Sequence, residues 1–169
     1  MLFRSEGYVM LSKQKKLIDL LSGGFKLSKP IKARDTDALV FSKQNFKQFP
    51  DLIKTDLNFT DQLSISEANP QQKKLRWGTV ELHQWTSLEG MPLQGLLYKP
   101  EGFDSTQKYP MMVYFYERYS DRLHQHRGVV RSRSSINPTF YTSRGYVVFM
   151  PDIVYRTGYP GESCYNAVI

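Results

Sequence analysis

Cysteine is almost missing from this sequence. Cys164 stands alone among 169 residues, which excludes an internal disulfide and any zinc site built on several thiolates. Long apolar runs are missing too: none approaches the ~18 residues of a membrane-spanning helix, and the N-terminus carries no apolar leader stretch. Acidic residues are the scarcer charge, 16 against 23 basic, for a net charge of +7. An excess of that size attracts polyanions at long range. Here, however, Lys13, Lys15, Lys16, Lys43, Lys47, Lys73 and Lys74 are scattered among acids, with a looser group from Arg118 to Arg133. No helix-turn-helix, zinc-finger or RNA-binding aromatic motif accompanies them, so they read as a solvated surface and not as a nucleic-acid face. What the chain does have is a core: 40% apolar and 14% aromatic residues, with eleven Tyr and ten Phe, exclude wholesale disorder. The length suits one domain or parts of two.

The first 74 residues read as short strands, Tyr8 to Leu11, Ala38 to Ser42, Leu52 to Leu57 and Leu63 to Ser66, separated by polar turns. Lys15 to Leu21 is open between a short helix and a strand, with the strand preferred. Such strands at ~10-residue spacing suit a sandwich or a propeller blade. A lone blade cannot bury both of its faces, so this third of the chain is expected to be a poor autonomous domain, with sequence missing upstream of Met1. The run from Asn69 to Lys74, polar with one proline, suits a linker.

Beyond residue 75 the pattern changes. Val80 to Trp85 and Leu93 to Tyr98 alternate around a Glu89-Gly90 turn, the signature of a hairpin. Tyr109 to Tyr116 is a nearly continuous apolar run, expected for a strand buried on both faces of a parallel sheet. A second run, Tyr146 to Met150, is stopped by Pro151. Between them Asn137 can cap a helix, Pro138 suits its first position, and Gly145 suits a left-handed exit. Strand, helix and strand make a βαβ unit, so the fold class is α/β, with a further helix expected near Gly161.

Four pieces of this second part resemble the opening of the catalytic domain of the prolyl oligopeptidase family, particularly its dipeptidyl-peptidase-like and acylaminoacyl-peptidase-like bacterial members. They are Trp85-Thr86-Ser87-Leu88-Glu89-Gly90 with Leu93 to Pro100, Lys108-Tyr109-Pro110 with the run ending at Tyr116, Gly145 to Asp152, and Gly158-Tyr159-Pro160-Gly161. Their order over about 95 residues carries more than any one of them. Phe49-Pro50-Asp51-Leu52, Asp56-Leu57 and Ser66 to Gln71 resemble the last propeller blade before the hydrolase domain. The resemblance therefore implies an incomplete α/β-hydrolase core over 75–169 preceded by a partial β-propeller blade and linker over 1–74. It also implies a serine peptidase that cleaves short peptides through an acyl-enzyme, with no cofactor. Compartment stays open between the cytoplasm and periplasm of a bacterium.

In α/β-hydrolases the nucleophile sits in a GxSxG elbow and is followed by Asp and then His. No GxSxG occurs here. The nearest string, Gly161-Glu162-Ser163-Cys164-Tyr165, has Tyr in the last place and does not follow a buried strand, so Ser163 reads as an ordinary helix-start residue. With the Ser absent, the Asp and His that follow it are absent too, and the chain alone is expected to be inactive. The resemblance implies one surviving catalytic group, Tyr116, whose phenol would donate to the oxyanion. The loop after it, Glu117-Arg118-Tyr119-Ser120-Asp121-Arg122, is bulkier and more charged than the small Gly- and Pro-containing turn of many family members. Glu117, Arg118 and Arg122 are therefore candidate substrate contacts.

Asp152 ends the second run and reads as structural, capping a turn with Tyr155 or pairing with Arg156. His124 and His126 lack the carboxylates or cysteines of a zinc site, His83 reads as surface or packed, and Cys164 as structural. Two other functions remain open: a non-enzymatic module binding a polyanion or partner through the basic loop 118–133, and a fragment of an esterase with the same hydrolase core. Uncovered apolar faces predict poor solubility.

Overall fold

A computed structural model describes residues 4–130 and 134–168. They divide into two compact units, residues 1–75 together with 124–126, and residues 76–123 together with 127–169.

The first unit is antiparallel sheet. A two-stranded hairpin pairs β1 (Glu6–Leu11) with β2 (Leu17–Gly23), so the strand reading of the 15–21 stretch holds. A second sheet comprises β3 (Lys26–Leu27), β4 (Ile31–Lys32), β5 (Leu39–Gln44), β6 (Asp51–Thr55) and β7 (Leu63–Ser64). Within it β3 and β4 both pair with β5, which continues to β6 and β7. Register places Phe41 opposite Ile53. These two join Leu39 and Phe59 in a core onto which Tyr8, Leu20, Leu21 and Leu27 pack. Tyr8, Phe41 and Phe59 form an aromatic trio with centroids 4.8 to 5.6 Å apart. Phe59 reaches it from a left-handed backbone, φ 59°, in a loop that Asp56 ties by accepting from the Thr60 amide and hydroxyl, both at 2.8 Å. Val9, Leu11 and Leu17 on the hairpin are exposed. The 69–74 stretch is not extended; Pro70–Lys74 forms a 3-10 turn.

The second unit holds a four-stranded mixed sheet. Its strands are β8 (Thr79–Thr86), β9 (Pro92–Lys99), β10 (Met111–Val113) and β11 (Val147–Pro151). The spatial order is β10-β11-β9-β8, with β10 and β11 parallel and the other pairs antiparallel. The alternating hairpin of the sequence is the β8/β9 pair, and Gly90 supplies its turn at φ 79°. Helix α1 (Pro138–Thr142) makes the crossover from β10 to β11. The Asn137 side chain caps it by accepting from the Phe140 amide at 2.9 Å, and Gly145 leaves at φ 84°. Helix α2 (Pro160–Val168) follows β11.

Register assigns Leu96, Tyr98, Val148 and Met150 to one sheet face, and all four are essentially buried. On the other face Trp85 packs edge-on to Phe149, while Leu93 meets Ile153 and Ala167 of the α2 end. Burying side chains of this size contributes roughly 1.5–3 kcal/mol each, so the β9/β11 pair anchors the unit.

Two expectations fail in detail. The run from Tyr109 to Tyr116 yields a strand of only three residues, not one buried on both faces: Met111 and Val113 are exposed. The reason is position, since β10 is a terminal strand of the described sheet. Pro151 does not stop β11 but is its last residue, opposite Gly95. A strand tolerates proline where the missing N–H is not needed. The next residue resumes the ladder, the Asp152 amide donating to Gln94 O at 2.9 Å.

Candidate functional site

Chain leaving β10 runs through Tyr114 to Ser120, and chain leaving β11 runs through Asp152 to Arg156; the two lie side by side. This follows from parallel pairing, which sends both strands out of the sheet at the same end, where open α/β sheets gather functional groups. The Tyr114 amide donates to Phe149 O at 3.0 Å, the last rung before the chains leave the ladder. Tyr116 stands three residues past β10 and is 71% exposed.

The backbone around it is tightly held. The Tyr155 hydroxyl donates to the Tyr116 carbonyl, and the Ile153 amide donates to Glu117 O at 2.8 Å. Asp152 is buried, and its Oδ1 accepts from the amides of Tyr119 at 2.7 Å and Ser120 at 2.9 Å. Its Oδ2 accepts from the Ser120 hydroxyl and from Gln94 Nε2 at 3.3 Å. Asp152 is therefore structural as expected, but with other partners. Neither Tyr155 nor Arg156 is among its bonds, because the loop 119–120 and Gln94 occupy both of its oxygens. These partners lie more than 30 residues apart in sequence, and no local pattern points to them.

Burial pushes the Tyr119 phenol up to about 12, helped by a hydrogen bond with Tyr114. Tyr155 is also raised, first by desolvation and then by its bond with Cys164, whose Sγ lies 3.8 Å from the hydroxyl. Both phenols stay protonated at neutral pH, and that of Tyr155 is the donor to the Tyr116 carbonyl.

The other candidates are dispersed along the same loop. Glu117 is exposed, Arg118 reaches Asp121 at 3.5 Å, and the Arg122 guanidinium sits 5.0 Å from the centre of the Tyr119 ring. Arg131 and Arg133 of the basic loop lie outside the described residues. Ser163 is in the first turn of α2, its hydroxyl donating to Tyr159 O at 2.8 Å and accepting from the Arg156 amide at 2.9 Å, a helix-start role. His124 and His126 pack within the first unit. His126 bonds Gln72 Oε1 through Nε2 at 2.9 Å, its amide donates to Gln44 Oε1 at 3.0 Å, and burial lowers its pKa. His83 is exposed and stacked near Trp85.

A cleft of about 180 Å³ opens between the β8/β9 turn and α2, lined by Glu89, Met91, Leu93, Arg156 and Glu162 among others; Tyr116 does not line it. Asn166 closes one side by donating to Glu89 Oε1 at 2.7 Å.

No protein-family model matches this sequence, and no curated protein sequence does. Solved structures do match. Dipeptidyl peptidase 4 of Porphyromonas gingivalis superposes with a TM-score of 0.60 at 14% identity, over 87% of this chain and 21% of that one. The AtxE2 isopeptidase, apo form, gives 0.56 at 16% identity over 85% and 21%. The acylaminoacyl peptidase of Pyrococcus horikoshii gives 0.54 at 16% identity over 88% and 22%. The likeness is one of fold. The chain spans about a fifth of the length of these peptidases.

Proposed function

We propose that this chain is a piece of a serine-type oligopeptidase or dipeptidyl peptidase of the prolyl oligopeptidase family. In this reading the first unit is the end of the propeller and the second is the opening of the α/β-hydrolase domain. The observation that carries it is the conjunction of a mixed sheet ordered β10-β11-β9-β8 with a tyrosine projecting from the loop at the parallel strands' exit. Likeness of fold to three kinds of peptidase supports the same reading.

Tyr116 would donate its phenolic hydrogen to the oxyanion formed when a serine alkoxide attacks a peptide carbonyl. The serine, its histidine base and the orienting aspartate would come from chain beyond residue 169. An exposed phenol on a loop fixed at its backbone suits that role, because a preorganised donor stabilises developing charge without reorganising. Glu117, Arg118 and Arg122 flank the same edge and would meet the substrate's polar groups.

Reading the encoding DNA past the Ile169 codon tests this first. A GxSxG within about a hundred codons, followed by Asp and then His, supports the peptidase; a stop codon there leaves the binding module as the function. In a chain that contains the triad, Tyr116→Phe is expected to lower kcat about 10²-fold with little change in KM, as loss of one oxyanion donor does. An unchanged kcat would remove Tyr116 from the chemistry.

A further inference from the structure

We propose that Asp152 and Tyr155 are positioning residues that set where the Tyr116 phenol points, a role that rests on the oxyanion-donor reading above. Residues 115–118 are all exposed, so burial does not shape this loop. Its shape comes from bonds made by three residues in the segment that follows β11. Tyr155 holds the carbonyl of Tyr116, Ile153 the carbonyl of Glu117, and Asp152 the amides of Tyr119 and Ser120. The tyrosine is thus held at its own carbonyl and again three residues on.

The chemistry explains the residue types. A buried carboxylate is costly unless its lone pairs are filled. The four donors on Asp152, two amides, a hydroxyl and the Gln94 side chain, fill them without a cationic partner in that set. Only an acceptor with two oxygens serves all four at once; an asparagine would turn an N–H₂ toward Ser120 or Gln94. Tyr155 supplies reach, since its hydroxyl bridges from the β11 exit to the Tyr116 carbonyl while Cys164 of α2 contacts that same hydroxyl. The segment after β11 thereby aims a group that the segment after β10 carries.

The test uses this chain with 3-fluorotyrosine placed at position 116, followed by ¹⁹F NMR, alongside amide hydrogen exchange. Asp152→Asn leaves one oxygen for the amides of Tyr119 and Ser120 but removes its charge, so exchange there should speed about tenfold, the difference between a charged and a neutral acceptor. Tyr155→Phe should leave those two amides protected, yet move and narrow the fluorine line toward that of free fluorotyrosine while the urea midpoint stays near wild type. Should Asp152→Asn fail to fold, Tyr155→Phe alone decides. A fluorine line unchanged by Tyr155→Phe overturns the positioning role. This readout is independent of hydrolysis: a moved line together with full kcat in Tyr116→Phe would uphold the grip on the loop and remove only the oxyanion reading.

Discussion

Replacing Gly95 with alanine is the sharpest test of how the second unit is built. Gly95 lies in the middle of β9, between β8 and β11, opposite Pro151. A Cβ there would stand 2.7 Å from both the Met150 oxygen and the Pro151 Cα, 3.2 Å from the Met150 carbonyl carbon, and all three are backbone atoms. Backbone in a paired strand cannot swing aside as a side chain can, so β11 must shift as a unit. Overpacking of this kind costs roughly 1–3 kcal/mol. Because urea slopes for small domains run ~1–3 kcal/mol/M, the midpoint should fall by about 1 M. Gly161→Ala is the control: at the start of α2 nothing lies within 4 Å of its Cβ, and a stability change between zero and a gain of ~1 kcal/mol is expected. Urea unfolding followed by tryptophan fluorescence reports this unit, which contains Trp77 and Trp85. An unchanged or higher midpoint for Gly95→Ala would refute the packing argument.

Three further outcomes are expected. Tyr98 and Tyr119, both pushed up to about 12 with burial as the main cause, should ionise only near that pH by absorbance at 295 nm. Their folded values exceed the ordinary 10.0, so the folded state holds its protons longer; stability is intact below pH 10 and is lost as pH rises toward 12. His126 has the opposite sign. Its folded pKa lies below 6.5, so the unfolded chain takes up the proton first, and stability is full above 6.5 and declines as pH falls through it. His126→Gln should shrink the difference between urea midpoints at pH 7.5 and 5.5. Asn137→Ala should cost ~1 kcal/mol in thermal melts by removing the α1 cap.

Elements with a local signature were legible in the sequence. The β8/β9 hairpin announced itself through alternation around Glu89-Gly90, and α1 through Asn137, Pro138 and Gly145. Length of β10 was not legible, because an apolar run predicts burial while the number of neighbouring strands decides it. For the candidate site, a resemblance put forward Tyr116, whose oxyanion role is the proposal made above, and the sequence could mark Asp152 as structural. It could not find Tyr119, Ser120 and Gln94 as the partners of Asp152, since these contacts arise only when the exits of β10 and β11 are brought together. Tyr155 as a clamp on Tyr116 was invisible for the same reason.

Residues 124–126 have a consequence for dissecting this chain. The polypeptide passes from the first unit to the second at residue 75, returns for three residues, and leaves again. Expressing 1–75 alone would therefore omit part of what the first unit is made of. Gln44 and Gln72 would lose the His126 groups they bind, the Phe49 ring would lose its edge contact with that imidazole, and the Arg4 carbonyl would lose the His124 ring nitrogen it meets. No single cut separates the two units cleanly, and a protease nick between 120 and 127 would weaken the sheet unit that ends fifty residues earlier.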